Sequence, residues 1–273
     1  MVDPNTTADQ LIDTLGITDP ADLDIGAIAY YCGATIVYEP LTGCEANIVG
    51  YGDRAIITVN NGSHPGRQRF SGGHELGHWM KDRGESAFGC TEKQIDSEWS
   101  ANNPETRANR FASDLLLPKR LFVPMAKGRP IALETLCGLA STFQMSLTAT
   151  AIKLVEHGSY PAMLLCYEHG ARKWFIRPRT VPPALFPPTR VPSGTITSKL
   201  LSNESAEKAE DDVRTDNWFE HPNANQYYVR ESCFRTGDDL AVTILWWEDE
   251  QQIMDIEEEE ERKAARRSDW RDE

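Results

Sequence analysis

No Cys-x-x-C pair and no regular cysteine spacing occur in this chain of 273 residues. Its six cysteines, Cys32, Cys44, Cys90, Cys137, Cys166 and Cys233, are scattered, which predicts reduced thiols rather than a disulfide framework or a thiolate zinc site. No apolar stretch approaches the ~18 residues that a membrane span needs. The opening Met1-Val2-Asp3-Pro4-Asn5-Thr6 has neither a basic nor an apolar targeting segment, so a cytoplasmic protein is expected. Positive charge is scarce as well. Against 42 acidic residues stand only 28 Lys and Arg, a formal net charge of −14. Such a chain repels phosphate backbones, which argues against direct nucleic-acid binding by the chain as a whole. The length allows one large domain or two small ones.

What the chain does have is His74-Glu75-Leu76-Gly77-His78. Residues four apart lie on one face of a helix, so two imidazoles at 74 and 78 can share one metal ion. Glu75 is displaced around the helix and can reach a water on that ion without being a ligand. The chemistry this implies is hydrolysis: zinc makes its water acidic, and the carboxylate takes the proton as water attacks a carbonyl.

Catalytic zinc takes a third protein ligand and keeps one position open. The metzincin spacing would put Gly at 81 and His at 84, but the chain has Lys81 and Gly84, so that branch is excluded. Further on, Asn103 and Pro104 give helix start signals. Ala108, Phe111, Ala112, Leu115 and Leu116 then follow the spacing of a buried stripe, and Pro118 ends the helix. Glu105, three residues before Ala108 and four before Asn109, extends that stripe. A core-facing carboxylate is costly unless paired or metal-bound, which makes Glu105 the natural third ligand.

Gly66-Arg67-Gln68-Arg69-Phe70-Ser71, the 74–78 motif, Glu105 with Ala108-Asn109-Arg110-Phe111-Ala112, and Leu115-Leu116-Leu117-Pro118 together resemble the ImmA/IrrE family of metallopeptidases. The likeness spans about residues 24 to 155. It implies zinc ligands at His74, His78 and Glu105, one ion per chain, and a general base at Glu75. One departure is Gly72-Gly73 just before the first histidine, where helix formers would be expected. It predicts either a late or kinked helix start, or a close neighbour.

Elsewhere, short helices are predicted at Ala8 to Leu15 and Asp24 to Cys32, with strands at Thr35 to Tyr38, Ala46 to Val49 and Ala55 to Val59. The last is expected to be an edge strand along the cleft, pairing with an extended substrate. Leu133 to Phe143 and Ser146 to Val155 form a helix pair that superficially suggests a DNA-reading unit. Only Lys153 is basic there, so core packing is the expectation. Hairpins are predicted through His169-Gly170 and Thr236-Gly237-Asp238, separated by a proline-rich connector at 179–192. Trp246 and Trp247 point to opposite faces of their strand. The charged tail from Glu248 pairs Glu258 with Arg262 and Glu259 with Lys263, consistent with a solvated helix.

The predicted architecture is α+β: a zincin-like metallopeptidase domain over 1–158, a C-terminal α+β extension over 159–250, and a charged tail over 251–273. The family resemblance implies a regulatory zinc endopeptidase that cleaves a repressor or antitoxin-like protein, such as a helix-turn-helix repressor encoded nearby. Two rivals are a non-proteolytic metal-binding regulator that sequesters its partner, and a hydrolase of a non-peptide bond. The intact Glu75 argues against the first, because sequestration has no chemical need for that carboxylate.

Overall fold

The structure is a computed structural model that describes residues 2–82, 89–90, 103–202, 207–222, 224–237 and 239–269. Its backbone packs into two compact units: residues 1–125 with 138–150, and residues 126–137 with 151–273. Both helices and sheets are present in an α+β arrangement.

In the first unit, α1 (Ala8–Thr14) starts at a capping box in which Thr7 and Gln10 satisfy each other's backbone amides. Asp24 caps α2 (Ile25–Tyr31) by accepting from Gly26 and Ala27. Three strands follow: β1 (Ala34–Glu39), β2 (Ala46–Tyr51) and β3 (Arg54–Asn60). Then come α3 (Pro65–Lys81), the short β4 (Gly89–Cys90) and α4 (Pro104–Leu116). α3 and α4 both open with proline in the first turn, where a missing N–H costs nothing.

The sheet order is β1-β3-β2-β4, which corrects one expectation. β3 is internal, not an edge: Ile57 pairs with Ile36 of parallel β1 on one side and Ile48 of antiparallel β2 on the other. Its backbone donors and acceptors serve two ladders, so it has no open side for a substrate strand. Alternation of buried Ala55, Ile57 and Val59 with exposed Ile56 says which face is covered, not how many neighbours a strand has.

Of the two readings of Gly72-Gly73, the close neighbour holds and the disruption does not: α3 runs unbroken from Pro65 to Lys81. Close neighbours explain both residues. A Cβ on Gly72 would come within 3.2 Å of Ile36 on β1, and one on Gly73 within 3.2 Å of Leu116 on α4. Gly77 is tighter still: its Cβ would sit 2.9 Å from the Cα of Ala108 and 3.0 Å from that residue's carbonyl oxygen. Small residues on α3 and α4 therefore let the two helices approach backbone to backbone.

After α5 (Lys119–Ala126), α6 (Leu133–Phe143) and α7 (Leu147–His157) turn at Gln144, whose φ is +53°. Lys153 is buried on α7, so the single basic side chain of this helix pair cannot meet a phosphate backbone.

The second unit holds a five-stranded antiparallel sheet in the order β6-β5-β9-β8-β7. Its strands are β5 (Ala162–Glu168), β6 (Ala171–Ile176), β7 (Lys208–Arg214), β8 (Tyr228–Arg235) and β9 (Leu240–Trp246), with α8 (Ile196–Leu201) between β6 and β7. The β5–β6 turn places His169 and Gly170 at positive φ, as a tight hairpin requires. Trp246 and Trp247 are both buried. The tail helix, α9 (Gln251–Asp269), is not wholly solvated: Ile253 and Ile256 join the core, and Gln252 accepts a hydrogen bond from the Trp247 indole at 2.8 Å. Buried Glu231 on β8 is satisfied by donors from Thr197 and Trp218. No described helix is long and apolar enough to cross a membrane.

Candidate metal centre

His74 and His78 lie one turn apart on α3, both buried, with ring centroids 4.7 Å apart and planes nearly perpendicular. Their Nε2 atoms approach to 3.1 Å. Glu105 enters from α4, where Asn103 caps the helix by accepting from the Glu105 amide. Glu105 Oε2 lies 3.2 Å from Nε2 of His74, and Oε1 lies 3.4 Å from Nε2 of His78. Ligand bonds of 2.0–2.2 Å in a tetrahedral site imply ligand–ligand separations of about 3.3 Å. The three sequence-predicted residues therefore stand at the spacing of three corners around one small cation, and among the described residues they form one compact candidate metal cluster.

Hydrogen bonding strengthens that fit. Nδ1 of His74 is 2.9 Å from Asn109 Oδ1, and Nδ1 of His78 is 3.0 Å from Asp82 Oδ2. An amide oxygen and a carboxylate oxygen only accept, so each Nδ1 must carry its proton. In the neutral rings, both Nε2 lone pairs then face each other and the Glu105 carboxylate. Three converging lone-pair atoms repel unless a cation sits among them, and a divalent cation that takes nitrogen and oxygen donors matches the set.

Charge compensates without the ion as well. Burial works against ionisation of Glu105, but hydrogen bonds from both histidines outweigh it and hold the carboxyl far below its ordinary range. Burial likewise opposes charge on His78, yet Glu105 and Asp82 lift its imidazolium above the usual 6.5. A raised folded value stabilises the metal-free protein fully below 6.5, and that contribution is lost as pH rises through the His78 value. A metal ion binds only the deprotonated ring, so any loaded protein should gain stability over the same rise. Melting curves with and without a chelator should therefore draw apart as pH rises.

Glu75 is fully buried next to His74, outside the three-residue cluster, and close enough for its charge to act on His78. His64 caps the start of α3, its Nδ1 accepting from Gly66, ten residues before His74 and hence about 15 Å along the axis. Arg69 donates to the carbonyl of Leu23, Arg67 lies near Glu45, and Tyr51 is 91% exposed. Sequence reasoning named Asn109 only as part of a motif and missed Asp82 and Arg107. Asp82 lies four residues after His78 on the same helix face, a signal that was readable; its ion pair with Arg107 was not.

The family model of Peptidase_M78, described as the IrrE N-terminal-like domain, matches residues 30–155. A solved structure described as a Mycobacterium tuberculosis transcriptional regulator superposes with a TM-score of 0.57 at 14% identity, covering 88% of this chain and 86% of that one. At that identity the likeness concerns the fold. No curated protein matches the sequence.

Proposed function

We propose that the protein is a zinc-dependent endopeptidase with a regulatory role, a reading supported by the match of residues 30–155 to the IrrE N-terminal-like domain. The observation that carries the proposal is the convergence of His74, His78 and Glu105, with both histidine Nδ1 protons pinned by acceptors. These three residues would hold one zinc per chain, which when bound supplies Lewis acidity toward water and a peptide carbonyl. Glu75 is the proton carrier: its carboxylate accepts a proton from the attacking water and returns it to the leaving amine.

Residues 1–158 serve as the peptidase module, 159–250 as an α+β extension and 251–273 as a charged tail. The substrate is a protein. A net charge of −14 favours a basic partner, such as a helix-turn-helix repressor or antitoxin-like protein encoded nearby in the same cytoplasm. A regulatory setting agrees with the transcriptional regulator that shares the fold.

Purified protein is expected to carry about one zinc per chain by elemental analysis. Glu105→Ala should lose it on mild chelation while keeping its helices by circular dichroism. Stoichiometric zinc retained by that variant would remove Glu105 from the ligand set and break the proposal.

A further inference from the structure

Asp82 is an odd residue to find where it is. It caps the C-terminal end of α3, its backbone N–H bonded to the His78 carbonyl at 2.8 Å, and its side chain is only 1% exposed. A helix C-terminus carries partial negative charge, so a buried carboxylate there is opposed by both the dipole and desolvation. Two contacts offset this. Its Oδ2 accepts from Nδ1 of His78, and its Oδ1 accepts from the guanidinium of Arg107 on α4. The His74 arm is built differently: Nδ1 meets the neutral amide oxygen of Asn109, which needs no counter-charge.

We propose that Arg107 is a positioning residue that sets zinc affinity through Asp82, by holding that carboxylate on Nδ1 of His78. This rests on the metal-centre reading above. Helix α4 thus contributes three things along one stretch: Glu105 to the ion, Asn109 to His74, and Arg107 to the carboxylate that orients His78. A carboxylate behind a ligating histidine fixes the ring and raises its donor strength. Arg107 holds that carboxylate in place through their ion pair, although its own side chain is 38% exposed and stands outside the three-residue cluster.

A double-mutant cycle on zinc affinity, read by competition with a chromophoric chelator, tests this. Asp82→Asn should weaken binding ~10–100-fold. Arg107→Ala should weaken it about tenfold in the wild-type background but by no more than about twofold beside Asp82→Asn, because its route is then already cut. Arg107→Lys should recover most of the loss, and the cobalt-substituted protein should show altered visible bands in Arg107→Ala and near-normal bands in Arg107→Lys. A merely structural role would give equal losses in both backgrounds, and that result overturns the proposal. No loss from Arg107→Ala in the wild-type background overturns it too. Should Arg107→Ala fail to fold, Arg107→Gln, which keeps a donor without the charge, makes the same comparison. Wild-type protein that binds no zinc would refute the metal centre itself, a distinct outcome from wild-type binding that ignores Arg107.

Discussion

Glu75→Gln is expected to lower peptide hydrolysis by roughly two to four orders of magnitude while zinc stays at about one per chain. Glutamine keeps the shape of the side chain and one acceptor oxygen but cannot take a proton. The substitution also removes a negative charge from a site where Glu75 is fully buried, so it should not unfold the protein. Metal content should be unaffected, because the candidate ligand cluster comprises His74, His78 and Glu105 without Glu75. The assay is cleavage of a co-purified basic regulator, scored by mass spectrometry and paired with zinc analysis and a thermal melt. Hydrolysis at the wild-type rate in a zinc-loaded Glu75→Gln protein would end the proposed mechanism. Regulation that persists in the uncleaving variant would instead favour sequestration of the partner, since binding alone needs no proton carrier.

The clustering of His74, His78 and Glu105 was legible in the sequence because its logic is local. His74 and His78 are related by helix periodicity alone, and Glu105 is tied to its own helix by the Asn103 cap and the apolar stripe from Ala108. The elements that were misread depend on partners distant in the chain. β3 alternates as an edge or central strand would, and only the parallel pairing of β1 makes it internal. β7 was not anticipated at all, since Glu210, Asp211 and Asp212 lack any apolar pattern; its pairing with β8 comes from the sheet it completes. In the tail, the charge pairs farther along α9 carry no sign that Ile253 and Ile256 join the core. The ion pair of Arg107 with Asp82 is likewise invisible until α3 and α4 are side by side.

That helix pairing yields the other large effect, at Gly77. A methyl group there meets main-chain atoms of Ala108 at 2.9 and 3.0 Å, and backbone cannot swing aside as a flexible side chain can. Gly77→Ala must therefore push α4 away from α3. Overpacking of this kind costs about 1–3 kcal/mol, against a gain of up to about 1 kcal/mol in helix propensity. The more telling consequence is chemical. Glu105 is three residues from Ala108 on the helix that moves, so its carboxylate should withdraw from the two Nε2 atoms and zinc affinity should fall about tenfold or more. Gly138 supplies the control. It lies within α6 with nothing inside 4 Å of its would-be Cβ, so Gly138→Ala should raise stability by roughly 0.5–1 kcal/mol and leave zinc binding alone. The same substitution at two helical glycines should thus shift the melting temperature in opposite directions. If Gly77→Ala instead melts above wild type with undiminished zinc affinity, close contact between the helices is not what sets the position of Glu105.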